Sequence, residues 1–299
     1  MPELPDITVY IRALEQRVCG KRLQAIQLNS PFLLRSVGVS PDGLIGQRVV
    51  GCERLGKRVA LEWEGDVWSV FHLMIAGRLH WRDTPSHRPG TSALMWMAFD
   101  TGVLWLTEAG SRKRASLHLC TADELDDHRR DGLEPLEIDL DAFSARLTRK
   151  NHTLKRALTD PNVFSGIGNA YSDEILHTAG LSPVKLSQTL GEADIASLYH
   201  ACQAVLRQWT NTLLAEAGGG FPRKVTAFRD GMAVHGRYGE PCPVCGSPVQ
   251  RIRYASNETN YCPRCQTDGK LLADRSLSRL LKQDWPRTLD ELEKKRGAR

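Results

Sequence analysis

Two periodicities divide this chain. From about Arg22 to Thr121 apolar residues tend to alternate with polar ones, and the segments RVALEWEG, VWSVFHLM, ALMWMAF and VLWLTEA are rich in β-branched and aromatic residues. Side chains that alternate in this way face opposite sides of an extended strand, so the stretch predicts an antiparallel β-sandwich or barrel. The DTG at Asp100–Gly102, between two apolar runs, predicts a hairpin turn. Ahead of it, residues 1–14 predict a helix with an apolar face through Ile7, Val9, Tyr10, Ile11 and Leu14. Beyond it the period lengthens, predicting helices over Phe143–Asp160, Ala170–Ala179 and roughly Ala193–Ala217, the last ended by the glycines at 218–220. Between the β-rich and helical parts, the run TADELDDHRRDGLEPLEIDLD carries nine Asp or Glu against two Arg from Asp123 to Asp141, and predicts a solvated linker.

The expected organisation is α+β and multidomain: a β-sandwich over 1–130, a helical domain over 131–221, a small module over 222–266 and a C-terminal extension over 267–299. The extension holds a short amphipathic pattern through Leu277, Leu280 and Leu281.

Composition narrows the class. No apolar run approaches the ~20 residues of a membrane span, and no basic segment followed by an apolar stretch marks a signal peptide. A cytoplasmic protein is expected. The net charge of +5 is small against 40 Lys and Arg and 35 Asp and Glu, so its distribution matters more. From Pro222 to Cys265 seven Lys or Arg face three acids.

Four of the eight cysteines are scattered; the others form C-x2-C-x16-C-x2-C at Cys242, Cys245, Cys262 and Cys265. Two CxxC turns supply a tetrahedral thiolate set that leaves no open position, which predicts one structural Zn2+. The intervening VQRIRYASNETNYC predicts a hairpin between the turns. In PNVFSGIGNAYSDEILHTAGLSP, GIGNAY follows a helical pattern rather than a strand, so it is not read as a nucleotide loop. Its two glycines free backbone amides ahead of a helix starting at Asn169, a device that grips phosphate.

PELP at Pro2–Pro5, SGIGNAYSDEIL and GRYGEPCPVCG…CPRCQ together resemble the formamidopyrimidine-DNA glycosylase and endonuclease VIII family. LGKR at Leu55–Arg58, HL at His72–Leu73 and GLEPL at Gly132–Leu136 add to the likeness, which runs in order from Pro2 to Gln266. The resemblance implies a helix-two-turns-helix domain, a zinc finger, damaged DNA as partner and a monomer that excises bases and cleaves the abasic strand by β/δ-elimination. It implies that Pro2, freed of Met1, is the nucleophile, that Glu3 is its neighbouring acid and that Lys57 holds a phosphate. Asn169, Lys155 and, as an alternative to a core role, His72 become DNA contacts.

Four features depart from the family pattern. Asn257 stands where the finger carries an arginine. Ile75, Lys113 and Arg114 stand where a Met–Arg–Phe set fills the gap left by a flipped base, within an SRKR loop that includes Arg112. Residues 221–239 are short and basic where one branch has a long loop covering oxidised guanine. Asp6 replaces a glutamate. These differences point to a broader or different lesion range. Two alternatives stay open: a glycosylase for bulky alkylated or crosslinked bases with weak lyase activity, and a noncatalytic damaged-DNA-binding protein.

Overall fold

The computed structural model describes residues 1–254, 257–273, 280 and 286–297. The pattern through Leu277 and Leu281 lies outside the described residues. The chain forms two compact units: Met1–Asp131 with Gln208–Ala227, and Gly132–Arg207 with Phe228–Arg299.

The first unit opens with α1, Leu4–Val18. Eight strands follow: β1 Leu23–Leu28, β2 Val49–Leu55, β3 Arg58–Trp63, β4 Val67–His72, β5 Gly77–Arg82, β6 Ala93–Phe99, β7 Gly102–Glu108 and β8 Ser116–Thr121. They form two antiparallel four-stranded sheets, in the orders β1-β6-β7-β5 and β2-β3-β4-β8. The expected turn is there, with Phe99 opposite Gly102.

Alternation explains how the sheets meet. Val59, Leu61 and Trp63 of β3, Phe71 of β4, and Leu117 and Leu119 of β8 point inward. There they join Met95, Met97, Leu104 and Leu106 from the other sheet in one core. Ile7, Tyr10, Leu14 and Val18 bring α1 into the same core. Trp63 stacks on Phe99 with centroids 6.4 Å apart and donates its indole N–H to the buried Ser69 hydroxyl at 2.8 Å. The opposite face of the second sheet, Ala60, Val70 and Cys120, has its own apolar cluster closed by Leu125.

Leu125 comes from the run expected to be a solvated linker. The structure corrects that: Ala122–His128 is a 3-10 turn packed on the sheet. Charge density concealed the one apolar side chain that anchors it. A late segment completes this unit: Val225 is buried in the main core and Phe221 packs against it. Phe221 also lies 5.6 Å from the Tyr10 ring, and Arg17 Nη2 donates to the Gly219 carbonyl at 3.1 Å.

In the second unit the long helix expected over 143–160 is two, α2 Leu140–Thr148 and α3 Leu154–Thr159. The connecting stretch hydrogen-bonds elsewhere: the Ser187 amide donates to the His152 carbonyl at 2.8 Å. After α3 come α4 Asn169–Thr178 and α5 Glu192–Ala217, whose last turns belong to the first unit. The expected hairpin is β9 Gln250–Tyr254 against β10 Asn257–Tyr261, followed by α6 Pro263–Thr267 and, in the extension, α7 Leu289–Gly297.

Trp63→Ala removes a buried ring and leaves Ser69 without its donor. It is expected to lower stability by about 3–5 kcal/mol, read as a shift of the urea midpoint at unchanged slope.

Candidate functional site

In the first unit the candidate chemistry gathers at the start of α1. Glu3 is the N-cap residue, and the Asp6 carboxylate accepts from the Glu3 amide at 2.9 Å in a capping box. Both acids are 3% exposed. The shorter acid at position 6 therefore reaches its cap without strain. Burial holds the Met1 amine below its ordinary value, against Glu3 and Asp6 and aided by Arg78 and Lys57. Four charged side chains thus converge electrostatically on the amine one residue before Pro2.

Lys57 sits in the β2–β3 turn after Gly56, whose φ of 62° suits glycine. His72, at the end of β4, accepts the Met74 amide at Nδ1 over 3.0 Å, which makes Nε2–H its donor. Burial first, then Arg58, Lys57 and His118, press its pKa down to about 4. Ile75 is 62% exposed in the following turn. That turn needs Gly77, where a Cβ would strike the Leu73 carbonyl. In the 111–114 loop, Lys113 folds back: its ammonium donates to the Glu108 and Gly110 carbonyls. The Glu108 carboxylate accepts the Arg114 and Ala115 amides at 2.8 and 2.9 Å, and Arg112 and Arg114 are exposed.

In the second unit α4 carries two adjacent buried carboxylates, Asp173 at 1% and Glu174 at 5% exposure. Asp173 accepts from Lys155 Nζ at 2.5 Å, from His235 Nδ1 at 2.8 Å and from the Asn260 amide at 3.1 Å. Glu174 accepts the Ala233, Val234 and His235 amides at 2.7, 2.9 and 2.9 Å. The same Lys155 ammonium reaches the Asn169 carbonyl at 2.7 Å, so it is turned inward, its side chain 14% exposed. Asn169 donates Nδ2 to the Glu258 carbonyl at 2.8 Å, tying the first turn of α4 to β10. Asn257 is exposed at the start of β10. Across the hairpin, Arg251 and Arg253 lie 3.1 and 3.6 Å from the Glu258 carboxylate.

The Sγ atoms of Cys242, Cys245, Cys262 and Cys265 lie within 4.8 Å of one another. A tetrahedral zinc with Zn–S near 2.3 Å sets sulfurs about 3.8 Å apart; Cys242–Cys265 is 3.9 Å and Cys245–Cys262 3.4 Å. The four thiols fit one structural zinc. His177 of α4, 7% exposed, places Nε2 3.3 Å from the Cys242 sulfur. Burial lowers its pKa, so a neutral imidazole can donate to the thiolate.

Asp173, His235, Asn260 and His177 escaped the sequence reading. The available signal was SDE followed by ILH inside an apolar helix, polar groups on a segment with no solvent face.

Comparison with known proteins agrees with this division. Residues 1–115 match the formamidopyrimidine-DNA glycosylase N-terminal domain, residues 132–212 the H2TH domain of the same enzymes, and residues 239–267 the zinc finger found in FPG and IleRS. The chain is 30% identical over 280 residues to a formamidopyrimidine-DNA glycosylase of Variovorax paradoxus, covering 89% of this chain and 100% of that one. It is 41% identical over 151 residues to an uncharacterized formamidopyrimidine-DNA glycosylase-like protein of Mycobacterium tuberculosis, covering 50% and 94%. The Lactococcus lactis Fpg complex with DNA containing an oxidized pyrimidine superposes with a TM-score of 0.78 at 26% identity, covering 89% and 100%.

Two substitutions probe the second unit. Asp173→Asn strips the buried Lys155 ammonium of its counter-charge and is expected to cost about 3–5 kcal/mol in denaturant unfolding. His177→Phe is expected to weaken zinc retention about 10- to 100-fold in chelator competition.

Proposed function

The chain belongs to the formamidopyrimidine-DNA glycosylase family, and on that premise we propose that it excises damaged bases from DNA through a Schiff base on Pro2 and then cleaves the abasic strand. The observation that carries the reading is the half-buried amine at the start of α1, set among Glu3, Asp6, Arg78 and Lys57.

Removal of Met1 makes the Pro2 nitrogen a secondary terminal amine. An ordinary α-amino group has a pKa near ~8, so an appreciable neutral, nucleophilic fraction exists at pH 7, and Pro2 itself is buried. Its lone pair attacks the sugar C1′ while the damaged base departs. Glu3 protonates the ring oxygen as the sugar opens, and later moves the protons of elimination. The product is an iminium, charged without an added proton, and it draws electrons from C2′ so that the 3′ and then the 5′ phosphate are expelled. Lys57 holds a phosphate beside this centre.

Reaching C1′ requires the nucleotide to leave the stack, at a cost of a few kcal/mol that is lowest for a damaged base. His72 through Nε2–H, Arg112, Lys113, Arg114, Asn169 and Asn257 are proposed to contact the DNA, and Lys155 to act by fixing the first turn of α4. Asn257 lacks a guanidinium's charge and fork, so the finger holds its phosphate more weakly than an arginine would. Ile75 offers an aliphatic plug without an aromatic wedge, consistent with a wider lesion range. Solved relatives of this fold hold DNA with an abasic site, Fapy-dG or N7-benzyl-Fapy-dG. The protein is proposed to act as a monomer on the nucleoid.

Borohydride trapping on abasic DNA is expected to give a covalent adduct whose protein part lacks Met1. Pro2→Leu, which changes the amine and hinders Met1 removal, is expected to give none; an equal adduct would refute the Pro2 assignment. Glu3→Gln is expected to slow excision on the order of 10²- to 10⁴-fold. Because an α-amino group titrates near ~8, the acidic limb of kcat/KM is expected to rise with pH as the Pro2 amine loses its proton.

A further inference from the structure

Arg58, His118 and His128 take no part in the assignments above, yet they form one cluster on the outer face of the second sheet. The register sets Arg58, His72 and Ser116 in one row across β3, β4 and β8, and Ala60, Val70 and His118 in the next. Alternation sends all six to the same side of the sheet. The 3-10 turn Ala122–His128 returns over this face and brings the His128 ring to 4.7 Å from His118, while Arg58 Nη1 donates to the His128 carbonyl. Arg58 is the hub.

The charges acting on His72, His118 and Arg58 are cationic, and the acids nearby act on His128 or are paired with Arg129. Besides burial, His118 feels His128, Arg58 and Arg35, and His72 feels Arg58, Lys57 and His118. Arg58 in turn feels Arg130. Glu124 and Asp127 act on His128, Glu62 lies at the far end of the same face, and Arg129 is paired with Glu53 and Asp126. Burial pushes the His118 pKa down to about 4, with those cationic neighbours adding to it. Among the described residues, the charged groups acting on His72 and His118 are guanidinium, ammonium and imidazole, an arrangement complementary to an anion.

We propose that Arg58, His118 and His128 form a phosphate-binding subsite that grips the DNA backbone beyond the phosphate held by Lys57. The subsite is continuous with the candidate site, since Arg58 follows Lys57 in the chain and stands opposite His72. A neutral imidazole N–H and a guanidinium both donate to phosphate, and the phosphate's charge then draws a proton onto the ring. The proposal rests on the reading of this chain as a DNA-binding enzyme.

The test is a pH titration of the His118 and His128 ring signals by NMR on the full chain. Three arms are compared: protein alone, with inorganic phosphate, and with a duplex carrying a stable abasic-site analogue. The duplex is expected to raise the His118 pKa by about one unit or more. Arg58→Gln is expected to reduce the slope of log affinity against log salt by about 0.9, with its melting temperature checking that the unit remains folded. Duplex binding with no change in His118, whether or not inorganic phosphate moves it, would overturn the subsite and leave the glycosylase reading standing. Failure of the duplex to bind at all would overturn both.

Discussion

The second unit depends on two carboxylates that sit side by side on one helix, away from water. Asp173 and Glu174 cannot be solvated where they are, so each must be satisfied by donors, and together they collect six. Those donors come from α3, from the Ala233–His235 segment and from β10, three pieces far apart in sequence. The pair thereby fixes where the finger hairpin and the glycine turn ahead of Asn169 stand relative to one another. Lys155 supplies a compensating cation, and its short bond to Asp173 keeps the arrangement from being an uncompensated buried charge. His177 extends the same helix to the cysteine cluster, so α4 organises both the glycine turn and the metal module.

The first unit solves a different problem. Its proposed chemistry lies beside the first residues of the chain, where order is ordinarily poor. The apolar face of α1 is sunk into the core between the sheets, and the capping box closes the first turn above it. The helix termination that would be a merely structural device elsewhere here holds Glu3 beside the terminal amine. Packing at Ile7 and Tyr10 is what gives residues 2 and 3 a defined position.

Elements whose signal is periodic were legible in the chain: the strands, α1, α4, α5, the DTG turn and the paired CxxC turns. The break between α2 and α3 was not, because Leu147 and Leu154 keep a helical spacing across it and only bonds to the 183–188 segment interrupt it. Leu125 was hidden among acids, since a single apolar residue in a charged run carries no period. Lys155 was expected as a DNA contact, and only the fold reveals that its ammonium turns inward to Asp173, eighteen positions on. The family likeness pointed to Pro2, Glu3 and Lys57. It had nothing to offer on Arg58, His118 and His128, which meet only through strand register.

The segment at 218–227 carries a consequence for the order of events during synthesis. Phe221 and Val225 help close the core around α1, and Gly219 anchors Arg17 near the end of that helix. On the ribosome, α1 emerges first, but these residues follow only after the strands, the acidic turn and most of the second unit's helices. The element that bears Pro2 is therefore the first made and among the last to be fully packed. The nascent chain carries the proposed nucleophile for more than two hundred residues before the surroundings that would define its reactivity are complete.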